Sequence, residues 1–252
     1  SCEMKAIKQL SEQYGFAIIE DASHALGAEY LGEKVGSCVY SDICVFSFHP
    51  VKMITTAEGG MLLTNQKALA NKISLLRNAG ITRETEQMIG QSLARDQGAW
   101  YYQQLELGFN YRLNDMQAAL GLSQLNRLDE FVEKRREIAD YYFQHLAKLP
   151  VTLPWQHPDT LSSWHLFVFR LNLKQLSWSQ KQIFDYLRNQ GIGVQIHYIP
   201  VHTQPYYLQQ GFKFGDFPQS EDYYQQAITI PLYYEMSMQD RQQVVKTLSE
   251  IK

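Results

Sequence analysis

The sequence has almost no surplus of charge. Its 23 Lys and Arg stand against 26 Asp and Glu, a formal net charge of −3. That balance supplies none of the basic field that nucleic acid or an anionic membrane surface would need. Cysteine is scarce, and the spacing of Cys2, Cys38 and Cys44 fits neither a metal site nor a redox pair. An odd count of thiols in 252 residues suggests a reducing compartment, so a cytoplasmic protein is expected. No apolar run reaches the roughly 18 residues of a membrane span, and the first residues are not expected to form a signal peptide. Internal repeats and low-complexity tracts are missing too. With 45% hydrophobic and 19% charged residues, what remains is an ordinary soluble globular chain.

Its length suits one large domain, or a large one with a small one. Residues 3–14 read as a helix with Met4, Ile7, Lys8 and Leu10 near one face, stopped by Gly15. "FAIIEDA", "DICVFSF" and "GGMLLTN" read as short strands, and "QKALANKISLLRNAG" as an amphipathic helix closed by Gly80. Strands alternating with helices argue for an α/β sheet covered on both faces. Residues 81–112 are polar, aromatic and poorly periodic, the texture of a long functional loop. From Asn114 to about Leu149 the pattern predicts one long bridging helix, with Met116, Leu120, Leu125, Leu128 and Val132 as its stripe. Beyond Pro150 and Pro154, "SWHLFVFRLN" and "GVQIHYI" read as strands, and "SQKQIFDYLRNQG" and "SMQDRQQVVKTLSEIK" as helices. The expected division is a large domain over 1–130 and a small α+β domain over 131–252. The chain has sixteen tyrosines, most of them clustered in 101–111, 141–142, 198–207 and 223–234, suiting either a polar cleft or an interface.

Asp21 ends the "FAIIED" strand, and ligands of open α/β sheets sit outside the carboxyl ends of strands. It either faces such a site or N-caps a following helix. Ser23 and His24 come next. Ser47 closes the following strand, where its hydroxyl either donates to a phosphate or serves a turn. Lys52 lies five residues on, beside Val51, Met53 and Ile54. Such company either desolvates the amine, lowering its pKa and making it a nucleophile, or leaves it snorkelling to water. Gly59-Gly60 lets backbone approach a ligand or simply turns the chain. His197 and His202 are five apart, but no third ligand is near and no metal is expected. "GIG" at 191–193 lacks the rest of a dinucleotide fingerprint and reads as a turn. Acid, hydroxyl and lysine together match the needs of pyridoxal phosphate: a partner for the pyridine nitrogen, a phosphate donor and a Schiff-base amine.

"IIEDASHALGAEYLGEKVGS", "DICVFSFHPVKMITTAEGGMLLTN" and "LGFNYRLNDMQAALGLSQL" occur in an order and spacing that resemble the nucleotide-sugar aminotransferases. These form the DegT/DnrJ-type branch of the fold-type-I, aspartate aminotransferase-like superfamily. "SFHPVK" with "TTAEGG" resembles the branch that aminates C4 of a UDP-linked 4-keto-6-deoxy-N-acetylhexosamine in pseudaminic acid biosynthesis. The resemblance implies pyridoxal 5'-phosphate as cofactor, L-glutamate as amino donor and a homodimer. It makes Lys52 the Schiff-base lysine, Asp21 the partner of the pyridine nitrogen, Ser47 a phosphate ligand, and His24 a neighbour of the cofactor's 3-oxygen. Asn110 matches an asparagine that reaches the phosphate of the other subunit's cofactor. His49, Arg112, His197 and Tyr198 are implied at the sugar-nucleotide. Family members run well over a hundred residues before the opening helix, including a phosphate-binding Gly-Ser/Thr segment and a side chain stacked on the pyridine ring. The chain is therefore expected to correspond to the carboxyl two-thirds of such an enzyme. Two rival functions are a non-enzymatic assembly partner without cofactor, and a sugar dehydratase in which histidine replaces the lysine.

Overall fold

A computed structural model describes residues 2–91 and 96–251. The chain divides into two compact units, the first over Ser1–Leu128 with Asp159–Leu161 and the second over Asp129–Pro158 with Ser162–Lys252. In the first, the Met4–Tyr14 helix ends on Gly15, whose φ of 75° lets its N–H reach the Ser11 carbonyl at 2.7 Å. Strand Ile19–Asp21 lies parallel to Ile43–Ser47, with Asp21 opposite Val45. Gly60–Leu63 pairs antiparallel on the other side of Ile43–Ser47, with Ser47 opposite Gly60. The sheet is therefore mixed: residues 48–59 form a loop, and no crossover helix returns the chain in the parallel sense. Among the described residues, the expected cover on both faces is incomplete. Ile19 is 65% exposed, and the Lys67–Arg77 and Asp115–Leu125 helices bury no residue fully.

The single helix expected over 114–149 is two helices. Asn114 opens the first with a capping box, and that helix stops at Leu125. A turn at Asn126-Arg127 separates it from the second, Leu128–Leu146. The apolar period runs through the break, so periodicity could not reveal it. No Gly or Pro marks the place, and Asn126 stays in right-handed helical geometry. The stripe itself divides: Met116 is 81% exposed while Val132 is buried.

The second unit holds the larger core. Val132, Arg135, Ile138, Ala139, Tyr142 and Leu146 form the buried face of the Leu128–Leu146 helix at steps of three and four residues. The sheet beside it has Phe167–Leu171 at its centre, with Ala227–Ile230 and Val151–Thr152 as antiparallel neighbours. Phe167, Phe169 and Leu171 point inward by strand alternation, each fully buried apolar side chain contributing about 1.5–3 kcal/mol. The buried Arg135 guanidinium donates to the carbonyls of Trp164, His165 and Leu232. The "GVQIHYI" strand does not form. Only Gln195 bridges to Thr229, and the next contact with Thr229 comes from the His197 ring instead of the backbone.

Candidate active site

The parallel pairing of Ile19–Asp21 with Ile43–Ser47 puts both carboxyl ends at one edge. Asp21 does not cap a helix, because the residues after it are turns. Its Oδ1 instead accepts from the Ser23 N–H at 3.1 Å and the Ser23 hydroxyl at 2.6 Å, an Asx turn closed by a serine. No described residue donates to Oδ2. The Ser23 hydroxyl and N–H hold the Asp21 carboxyl below its ordinary value, helped by the positive fields of His24 and Lys52. Ser23 carries this geometry, and sequence reasoning gave it no role; an N-cap and an Asx turn share the same local signature. Ser23→Ala is expected to bring Asp21 back up toward about 3.9. The depressed folded-state value contributes stability above the ordinary carboxylate pKa, and that contribution is lost as pH falls through the folded value. Carboxyl carbon NMR titration and acid denaturation below about pH 4 would read both effects.

Ser47 ends its strand half-buried. Its Oγ accepts weakly from the His49 N–H at 3.4 Å, and its own proton goes to no described residue. His49 is exposed, and its Nδ1 accepts from the Val51 N–H at 3.3 Å. The chain then forms a loop whose base is closed by Phe48 N–H to the Gly59 carbonyl, 2.9 Å, and Thr56 N–H to the Phe48 carbonyl, 2.9 Å. Lys52 sits within it, half-buried, its N–H on the His49 carbonyl at 2.9 Å. Its apolar company splits: Met53 and Ile54 turn into the core, and Val51 faces solvent at 61% exposure. The double glycine serves packing. A Cβ on Gly59 would fall 2.4 Å from Thr56 Oγ1, and one on Gly60 2.7 Å from the Phe46 carbonyl oxygen. Two glutamines from the Asp115–Leu125 helix also hold the loop: Gln124 Oε1 accepts from Thr55 N–H at 2.8 Å and Gln117 Nε2 donates to the Glu58 carbonyl at 3.0 Å. Neither was singled out from sequence, although their spacing puts them on one helix face.

A family model for the DegT/DnrJ/EryC1/StrS aminotransferase family matches residues 1–249. The chain belongs to this family. The UDP-4-amino-4,6-dideoxy-N-acetyl-beta-L-altrosamine transaminase of Campylobacter jejuni subsp. jejuni serotype O:23/36 is 38% identical over 254 residues, covering 100% of this chain and 62% of the relative. The spore coat polysaccharide biosynthesis protein SpsC of Bacillus subtilis is 35% identical over 254 residues, covering 100% of this chain and 64% of SpsC. Among solved structures, Helicobacter pylori PseC, an aminotransferase involved in pseudoaminic acid biosynthesis, superposes with a TM-score of 0.86 at 32% identity, covering 99% of this chain and 63% of PseC. S. venezuelae DesV, solved in complex with a ketimine intermediate, gives 0.85 at 30% identity, covering 99% of this chain and 62% of DesV. The expected fold class, that of the aminotransferases, is thus met. The chain spans somewhat under two-thirds of the length of these relatives.

The remaining candidates of this DegT/DnrJ-type chain fall in three places. His24 is exposed, three residues beyond Asp21. Asn110 and Arg112 lie on a strap of backbone over the end of the Lys67–Arg77 helix. There Asn110 bridges to Asn78, and an Arg112 N–H donates to Asn78 Oδ1 at 2.9 Å. Both are exposed. His197 and Tyr198 belong to the second unit. The His197 Nδ1 lies 2.7 Å from Thr229 Oγ1, burial pushes its pKa down, and its ring meets Tyr198 edge-on. His202, weighed from sequence as half of a zinc pair, is buried with its Nε2 2.8 Å from Glu221 Oε1. Among the described residues no group of three or more His, Cys, Asp or Glu is arranged to hold a metal.

Proposed function

We propose that this chain carries the lysine-bearing part of a pyridoxal-phosphate-dependent aminotransferase that takes the amino group of L-glutamate and delivers it to C4 of a UDP-linked 4-keto-6-deoxy-N-acetylhexosamine. The observation that carries the reading is the arrangement around the sheet edge: an ionised Asp21 with one open oxygen, the undonated Ser47 hydroxyl, and Lys52 on the loop that follows. That donor set suits the cofactor, offering an anion for its ring nitrogen, a hydroxyl for its phosphate and an amine for its aldehyde. When bound, pyridoxal phosphate supplies an electron sink for cleaving the bond to the α-hydrogen.

Asp21, kept anionic at neutral pH by Ser23, would hold a proton on the ring nitrogen through its open Oδ2. Ser47 would donate to the phosphate, and His24 would stand beside the 3-oxygen. Lys52 would hold the cofactor through its amine and, once the donor's amine displaces it, would take a proton from carbon and return it, the general acid-base role of an amine held next to its target. Donor and acceptor use one site in turn, so ping-pong kinetics are expected. His49, Arg112, His197 and Tyr198 are assigned to the sugar-nucleotide. Asn110 is assigned to the phosphate held by a second copy, which makes a homodimer the working unit. The exposure of Asn110 supports that role. The buried free thiols of Cys38 and Cys44 support a cytoplasmic setting.

The test is chemical. Incubation with pyridoxal phosphate and borohydride, followed by peptide mapping, is expected to leave one pyridoxyl group, on Lys52. Label spread evenly over surface lysines would overturn the assignment.

A further inference from the structure

The loop that bears Lys52 is gripped from outside by one face of one helix. Gln117, Gly121 and Gln124 are spaced i, i+4 and i+7 on Asp115–Leu125, so they share a face. Gln124 accepts the Thr55 N–H, an amide that the loop's own hydrogen bonds leave without an acceptor. Gln117 donates to the Glu58 carbonyl, which Thr56 Oγ1 also engages at 2.8 Å. Between the two, Gly121 lies against Thr56, which is only 1% exposed. A Cβ on Gly121 would come within 2.8 Å of Thr56 Cγ2. Amide, bare backbone and amide thus match an N–H, a methyl and a carbonyl along residues 55–58.

We infer that Gln117 and Gln124 are positioning residues, which fix the Lys52 loop by two hydrogen bonds and thereby place the amine of Lys52 for reaction. The functional half of this inference rests on Lys52 being the cofactor lysine. The structural half stands without it. A reacting amine must be held within a fraction of an ångström, and misplacement by about 1 Å can cost on the order of 100-fold in rate. The closures at Phe48 fix only the base of the loop, whereas the glutamines fix the limb that returns from Lys52.

The two side chains can be tested separately because each uses a different atom. Gln124→Glu keeps an acceptor for Thr55, and Gln124→Leu removes it. Gln117→Glu keeps the capping-box acceptor, which takes the Asn114 N–H at 3.1 Å, but loses the donor to Glu58. In the cofactor-free protein, Gln124→Leu is expected to speed hydrogen exchange at the Thr55 amide about three- to tenfold, the size of one net hydrogen bond. The rate of Lys52 capture by pyridoxal phosphate and borohydride should fall by about tenfold or more. Gln124→Glu should restore both, and Gln117→Glu should slow capture with helix content unchanged. Wild-type exchange and capture in Gln124→Leu, or a Gln124→Glu protein no better than Gln124→Leu, would overturn the inference. Failure of wild-type Lys52 to take the label at all would instead overturn the cofactor reading, while the exchange contrast between the two Gln124 variants still decides the clamp.

Discussion

Lys52→Ala is expected to lower transamination by at least about 10⁴-fold while leaving the fold as stable as before. The first half follows from the two duties that the proposed function gives to one amine. Proton transfer by a positioned side chain is worth about 10² to 10⁴ in rate, and loss of the covalent link adds to it. The second half follows from what the Lys52 side chain does in the folded protein. Its ammonium makes no hydrogen bond or ion pair with any described residue; the loop is held instead by backbone closures and by Thr55, Thr56 and the two glutamines. A substitution that removes no packing anchor and no hydrogen bond normally changes stability by less than about 0.5 kcal/mol. Activity measured with L-glutamate and a UDP-linked 4-keto sugar, beside a urea denaturation curve, separates the two effects. Full transamination by Lys52→Ala would sink the assignment. Equal loss of stability and activity would mean that the lysine holds the loop and does not work in it.

How much of this was readable depends on whether the deciding contact is local. Asp21 and Ser47 could be placed because short apolar strands announce their own ends, and strand ends are where α/β sheets bind ligands. Lys52 stood out by its neighbours, yet its setting differs from the expectation: the turn leaves Val51 exposed and buries only Met53 and Ile54. The antiparallel return of Gly60–Leu63 was invisible because a strand's sequence carries no sign of its direction. The Asn126-Arg127 break was invisible for the opposite reason: the apolar period continues across it, and tertiary structure ends the helix. Gly59-Gly60 reads from sequence as either letting backbone approach a ligand or turning the chain; the atoms that would meet a Cβ there belong to Thr56, Leu113 and Phe46, which local sequence could not show. The Gln117–Gly121–Gln124 face was legible in principle, since polar and glycine positions at i, i+4 and i+7 interrupt an otherwise apolar helix. Its partner, 60 or so residues earlier in the chain, was not.

Gly80→Ala should be the most damaging single methyl in the first unit, and a second glycine provides its control. At the end of the Lys67–Arg77 helix the Leu75 carbonyl takes the backbone N–H groups of Asn78 and Gly80, leaving those of Leu76 and Arg77 to be met from elsewhere. A strap of backbone serves those two: Phe109 N–H donates to the Leu76 carbonyl at 2.7 Å and Tyr111 N–H to the Arg77 carbonyl at 2.9 Å. The Ala79 N–H returns a bond to the Phe109 carbonyl at 2.7 Å, and the Leu105 N–H reaches the Gly80 carbonyl at 2.8 Å. Backbones this close leave no room for a side chain. A Cβ on Gly80 would stand 1.8 Å from the Glu106 carbonyl oxygen, and one on Gly108 would stand 2.4 Å from the Gly80 nitrogen. Gly80 also has φ +70°, which costs an L-residue about 1–2 kcal/mol. Gly15 shares the conformation, with φ +75°, but a Cβ there would meet nothing within 4 Å. Gly15→Ala therefore measures the conformational cost alone, about 1 kcal/mol. Gly80→Ala adds overpacking against backbone that cannot swing aside, for a total of about 3 kcal/mol or more. The difference between the two urea midpoints isolates the collision, and equal shifts would show that the strap does not press on the helix end. Because the strap carries Asn110 and Arg112, the same variant should loosen both. The Arg112 bond to Asn78 would be lost, along with the contact to a second copy's cofactor proposed for Asn110, while the Lys52 loop, anchored by other bonds, keeps its shape.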